Sequence, residues 1–135
     1  MTENKLKHLE LIQGIITRMA GNLFYLRGWV ITLMAGVLAI LSQINGDVLP
    51  FLLVILVMTI SWIYDGYFLA LERMYRDLYN KVRKLEDKEV DFSMDITEFK
   101  KYKKNTILFC MISSTLLFFY APLITCAIYL VFKAN

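Results

Sequence analysis

The chain has 135 residues, 58% hydrophobic and only 20% charged, with 15 lysines and arginines against 12 acids for a net charge of +3. A soluble domain of this size carries fewer apolar and more charged residues, and the length leaves no room for a second core. Two cysteines exclude a disulfide scaffold, and two prolines with six glycines exclude a low-complexity or collagen-like chain. The composition is that of a small membrane protein.

A helix needs about 20 mostly apolar residues to cross the hydrocarbon core. Three stretches meet that length, at about 22–44, 48–71 and 106–132. The first includes Gly28 to Ile44 and reaches back past Arg27 toward Gly21. Its charged leader is too long for a secretory signal, and Ser42-Gln43-Ile44-Asn45-Gly46 lacks a small-x-small cleavage site, so the span is expected to be retained. Thr2 and the final Phe132-Lys133-Ala134-Asn135 carry no lipidation motif. Gly28, Thr32, Gly36 and Ala39 form a small-residue face suited to close helix contact in lipid.

Four basic residues precede the first span and ten lie between the second and third: Arg73, Arg76, Lys81, Arg83, Lys84, Lys88, Lys100, Lys101, Lys103 and Lys104. The Asn45-Gly46-Asp47 turn has none, and only Lys133 follows the third span. This asymmetry predicts a cytoplasmic N-terminus and an outside C-terminus, with the membrane crossed three times.

The helices are expected to continue into the cytoplasm. Leu9, Ile12, Ile16, Met19 and Leu23 precede the first span at spacings of 3, 4, 3 and 4. Leu71, Tyr75, Leu78, Val82 and Leu85 follow the second at 4, 3, 4 and 3. With the tight Asn-Gly-Asp turn, these stripes predict an antiparallel hairpin whose extensions at 4–21 and 72–90 form a helical stalk. Ordinary helix packing and a dedicated oligomerisation coil both fit the stripes. Residues 89–94 are the expected break, and Asp95 with Glu98 resembles a capping box opening a further extension at 95–105. The fold class is therefore all-α, a single integral membrane domain of three long helices.

Asp65 is the costliest residue in this scheme. It lies eight residues from Arg73, about 12 Å into the hydrocarbon. Acids at such depth face a bundle interior or a watery cavity. Arg27, on the neighbouring arm, is its natural partner, with Glu72 as a second candidate for the arginine. Such a pair fits either a structural salt bridge that sets hairpin register or a charge on an ion or proton path.

In the third span Ser114, Phe118, Ala121 and Thr125 align at helical spacing, and Pro122 is expected to bend the helix as a hinge. Hydroxyls and an aromatic on one face suit a pore wall with a hydrophobic gate, although serine and threonine also bond back to their own helix. Three helices cannot enclose a channel, so a pore requires an oligomer. The run Lys100, Lys101, Lys103 and Lys104, with Tyr102 inside it, fits anchoring to anionic headgroups or a cytoplasmic site for nucleotide or nucleic-acid phosphates.

His8 is the one histidine, so neither a histidine-based metal site nor a triad can be assembled. Cys110 and Cys126 lie sixteen residues apart on one helix, about 24 Å, and cannot pair with each other. No glycine-rich phosphate loop, GxSxG or HExxH is present. Neither an enzyme nor a cofactor or metal site is expected, and Trp29 and Trp62 are read as packing residues.

The strings Arg18-Met19-Ala20-Gly21-Asn22, Leu26-Arg27-Gly28-Trp29, Tyr64-Asp65-Gly66-Tyr67-Phe68-Leu69 and Glu72-Arg73-Met74-Tyr75-Arg76-Asp77-Leu78-Tyr79 carry a resemblance. They resemble a family of small bacterial membrane proteins with the pattern RMANNSF-x-LKGW followed by DxYYLxxER-x-xRxLYD. The match spans roughly the first 80 residues. Arg27 replaces the family's lysine and Gly21 its asparagine. In architecture the chain also resembles membrane effectors of bacterial anti-phage systems, notably the channel effector of Hailong-type systems and, more distantly, SLATT effectors. The resemblance implies a homo-oligomer, favouring a tetramer, that opens or perturbs the inner membrane. It implies control by a nucleotide or oligonucleotide made by a partner nucleotidyltransferase.

Three readings follow. The first is an oligomeric channel or pore-forming effector gated from the cytoplasm, with the Ser114–Phe118–Thr125 face lining the pore. The second is a non-conducting scaffold that docks another protein through its stalk, around Leu78 and Val82. The third is a small cation or proton transporter using Asp65, ranked last because no inverted repeat is detectable.

Overall fold

A computed structural model describes residues 2–41 and 48–134. The first helix, α1, runs from Glu3 to Leu41 and the second, α2, from Leu49 to Lys84. Three short 3-10 turns follow, at Asp87–Glu89, Thr97–Lys101 and Lys103–Asn105. A one-turn helix, α3 (Ile107–Met111), then leads into α4 (Ser114–Ala134). Among the described residues there is no strand, and α1, α2 and α4 are each long and apolar enough to cross a membrane. The Asn45-Gly46-Asp47 turn lies outside the described residues.

The leader stripe and the first apolar stretch form one unbroken helix because the 3-4 spacing runs through both. Leu9, Ile12, Ile16, Leu23, Val30 and Met34 are all buried on α1. Near the chain's N-terminal end, Leu9, Ile12 and Ile16 pack with Met74, Leu78 and Val82 of α2, and Val90 and Phe99 close that core. At the far end Val30 and Met34 meet Val54, Met58 and Ala127 of α4. Lys5 reaches the Leu85 carbonyl and Asp87. Residue numbers therefore rise on α1 as they fall on α2. On α2 the fully buried stripe is Met74–Leu78–Val82; Leu71, Tyr75 and Leu85 flank it half-buried.

The stripes are thus used up in packing α1 on α2. Ile12 is 0% exposed and Leu78 5%. Ile12→Ala or Leu78→Ala is expected to destabilise the fold by about 2–5 kcal/mol, read from denaturant midpoints in micelles.

Three expectations are corrected after Leu71. Helix α2 ends at Lys84, short of 90, and its terminus passes into a 3-10 turn capped reciprocally by Glu86 and Glu89. Residues 95–105 are not a helical extension. Asp95 accepts from both the amide and the hydroxyl of Thr97, while Glu98 pairs with Lys81, so neither acid caps a helix. These backbone and side-chain bonds hold the Asp95 carboxyl below the usual aspartate range. Phe99 turns inward to the α1–α2 core and Asn105 binds its carbonyl, a local side-chain bond that competes with helix formation.

The third apolar stretch is also interrupted. The break falls at Ile112–Ser113, while α4 continues through Pro122. Thr106 caps α3 by accepting from the Phe109 amide. At its other end, the Met111 carbonyl accepts from the Trp62 indole at 3.0 Å, in place of the helical partner lost at the break. Gly66 on α2 makes room for this arrangement: a Cβ there would lie 2.5 Å from Met111 Cγ and 3.4 Å from the Ile107 carbonyl oxygen.

Candidate functional site

Arg27 and Asp65 meet because each occupies an inward position of its helix. Leu23 and Val30 bracket Arg27 on the buried stripe of α1, and Ser61 and Ala70 bracket Asp65 on that of α2. Arg27 Nε donates to Asp65 Oδ2 at 2.7 Å and Nη2 to Oδ1 at 3.1 Å. This is the two-pronged geometry that a planar guanidinium forms with a carboxylate and that lysine cannot reproduce. The Asp65 side chain is 0% exposed and that of Arg27 24%. Glu72 is not a partner; it pairs with Arg76 one turn along its own helix.

Aromatic rings from α4 complete the surroundings. The Arg27 guanidinium lies 5.6 Å from the Phe119 ring centre, within cation–π reach. Phe119 meets Tyr120 edge-on, and Tyr120 stacks on Trp62 at 5.9 Å. One helix from each apolar stretch thus contributes to a dry, charge-neutral cluster. Its chemistry is that of a clamp: both oxygens of Asp65 are occupied by Arg27. Trp62 packs as expected, whereas Trp29 is 73% exposed.

The face proposed for a pore wall is outward. Leu116, Tyr120 and Ala127 are buried on one side of α4. Opposite them, Ser114, Phe118, Ala121 and Thr125 line an apolar groove with Pro122 and Tyr129. Phe118 is 84% exposed. The Thr125 hydroxyl bonds back to the Ala121 carbonyl at 2.7 Å, one turn earlier. Gly28 and Gly36 also face away from the rest of the chain, since a Cβ at either meets nothing within 4 Å. Cys110 is buried and Cys126 exposed, both free.

The basic run divides in two. Lys104 Nζ pairs with Asp77 at 2.7 Å, and the neighbouring Asn105 amide donates to the other Asp77 oxygen at 2.9 Å. Arg73 donates to the Lys104 carbonyl at 2.8 Å. Lys100, Lys101 and Lys103 are exposed, and among the described residues no acid lies within ion-pair distance of them. Lys101 and Lys104 both sit over the Tyr102 ring, at 5.4 and 5.8 Å.

Sequence reasoning missed Arg73, Asp77 and Lys81 as a set, although their alternating charges at four-residue spacing were the available signal. It also missed the burial of His8, which is 3% exposed, packs 5.6 Å from Phe92, and has no hydrogen-bond partner among the described residues at either ring nitrogen. No family model, characterised protein or solved structure matches the chain.

Proposed function

We propose that the chain is the subunit of an oligomeric ion channel or pore-forming effector of the bacterial inner membrane. It opens from the cytoplasmic side in response to an anionic nucleotide or oligonucleotide and acts in anti-phage defence. In this reading α1 and α2 form an antiparallel hairpin with the N-terminus inside and the C-terminus outside. The Ile12–Leu78 half is the cytoplasmic stalk, and Lys100, Lys101, Lys103 and Lys104 receive a ligand made by a partner nucleotidyltransferase.

The observation that carries the reading is the outward face of α4. Phe118 stands uncovered, with Ser114 and Thr125 one and two turns away, while the opposite face packs on α1 and α2. Several copies arranged around that face would place a ring of phenylalanines at a constriction, the form of a gate that closes by dewetting. The outward glycines of α1 suit close contact between copies. The defence role and a tetrameric assembly rest on the resemblance alone.

The competing readings fit less well. A scaffold docking through Leu78 and Val82 needs side chains already buried against α1. A transporter using Asp65 needs access to a carboxylate that is 0% exposed and held twice by Arg27.

The test is current through the purified protein in a planar bilayer, with its mass measured in detergent. A multimer with discrete currents is expected, and Phe118→Ala should raise its open probability by removing the apolar constriction. Thermal stability should hardly change, because so exposed a ring contributes little to the subunit's own packing. A silent monomer would overturn the proposal.

A further inference from the structure

Residues 97–105 are fastened to α2 by side chains spaced one turn apart. Arg73 holds the Lys104 carbonyl, Asp77 holds the Lys104 ammonium and the Asn105 amide, and Lys81 holds Glu98. These fasteners differ in their vulnerability to an arriving anion. Asn105 is uncharged, 4% exposed and also bonded to the Phe99 carbonyl, so an anion in solvent has no hold on it. Lys81 lines a pocket with Glu89, Asp91, Asp95 and Glu98, whose charge repels anions. Lys104 is different. Its side chain is 54% exposed, and it shares the Tyr102 ring with Lys101.

The pair is open to water on the lysine side, while Asp77 is 17% exposed; its cation is therefore screened and within reach of a ligand carrying several negative charges. We propose that Lys104 is an exchangeable fastener: a phosphate-bearing anion binds it together with Lys101 and its neighbours, takes it from Asp77, and loosens residues 97–105 from α2. The inference rests on reading this segment as the ligand-receiving face. It adds the regulation: Asp77 acts as a built-in competitor for the ligand.

The test reads binding of inorganic tripolyphosphate to the full chain in neutral micelles. Asp77→Asn keeps an acceptor for Asn105 and should tighten binding by up to about fivefold, the range of one exposed ion pair. Lys104→Gln should weaken binding, and adding Asp77→Asn to it should restore nothing. Asp91→Asn makes the same charge change away from Lys104 and should leave affinity nearly unaltered. A gain from Asp77→Asn that persists without Lys104, or an equal gain from Asp91→Asn, would overturn the proposal.

Amide exchange over residues 97–105 supplies the second arm. It should quicken on adding tripolyphosphate and be quick already in Asp77→Asn. In bilayer discs, the same change produced by phosphatidylglycerol over phosphatidylcholine would identify a headgroup as the phosphate source. A change produced only by tripolyphosphate would identify a soluble ligand. No change with either would overturn the exchange. A protein that carries no current still answers these tests, so the pore and the exchange fail separately.

Discussion

Asp65→Ala is expected to cost roughly 3–5 kcal/mol of stability in micelles, the largest loss of any single polar substitution in the chain. The reason is what stays behind. Arg27 would keep its charge on the inward stripe of α1, with Phe119 against its guanidinium and no carboxylate in reach. Arg27→Lys should cost less but remain damaging, because an ammonium cannot make the two parallel bonds to Oδ1 and Oδ2. Replacing both partners together, Arg27→Met with Asp65→Leu, should recover most of the loss, since an apolar pair needs no desolvation. Denaturant unfolding of the four proteins measures the cycle. A loss below about 1 kcal/mol for Asp65→Ala would show that water or lipid headgroups reach the pair.

Gly66→Ala should be the most damaging addition of a single carbon. The new Cβ would fall 2.5 Å from Met111 Cγ, with the Ile107 carbonyl and the Met111 amide nitrogen at 3.4 and 3.5 Å. The two backbone atoms are at ordinary contact distance, so the clash falls on Met111 Cγ, close to the α3 backbone, and relieving it means turning that side chain or shifting α3. The expected cost is about 1–3 kcal/mol, in the range of core overpacking. The displacement should also weaken the Trp62 bond to the Met111 carbonyl and open the packing around Cys110. Cys110 is 0% exposed, so its reaction with a maleimide in a Cys126→Ser background reports the local opening. A rise of about thirtyfold corresponds to the middle of that energy range. Shortening the neighbour, Met111→Ala, should relieve much of the clash. An unchanged Cys110 rate in Gly66→Ala would mean that α3 is not held as closely as its geometry indicates.

The two predictions concern one construction. Arg27–Asp65 ties α1 to α2, and Gly66, one residue further on, lets α3 approach the same helix. Phe119, Tyr120 and Trp62 then bind α4 to the cluster. The outward face of α4 and the basic segment before α3 are thus joined through one neutral, aromatic-walled centre.

Much of this was legible beforehand, for a common reason. Span length, the 3-4 stripes on α1 and the need of Asp65 for a basic partner all follow from periodicity and from the cost of an isolated charge in an apolar setting, both local properties of the chain. The Ser114–Phe118–Ala121–Thr125 face was legible as a face. Whether it pointed inward or outward was not, because an apolar helix destined for lipid is hydrophobic all round and its moment says little about direction.

What the amino-acid order determined by itself was a helical chain with three apolar stretches of membrane length and an acid at position 65 that requires a cationic partner. Which acid Arg27 takes, and where the third stretch breaks, was decided only in three dimensions. Glu72 had Arg76 one turn away, leaving Arg27 for Asp65. The helix broke at Ile112–Ser113 and not at Pro122, because Gly66 and Trp62 offer α3 a close seat and a donor for its loose carbonyl. The segment 95–105 gave up its helix for the same kind of reason. Asp77, Phe99 and Asn105 lie up to 28 residues apart, and their bonds outweigh a local helical preference once α2 presents the carboxylate. Propensity and spacing act over one or two turns; Trp62, Gly66 and Asp77 lie on α2, tens of residues away along the chain.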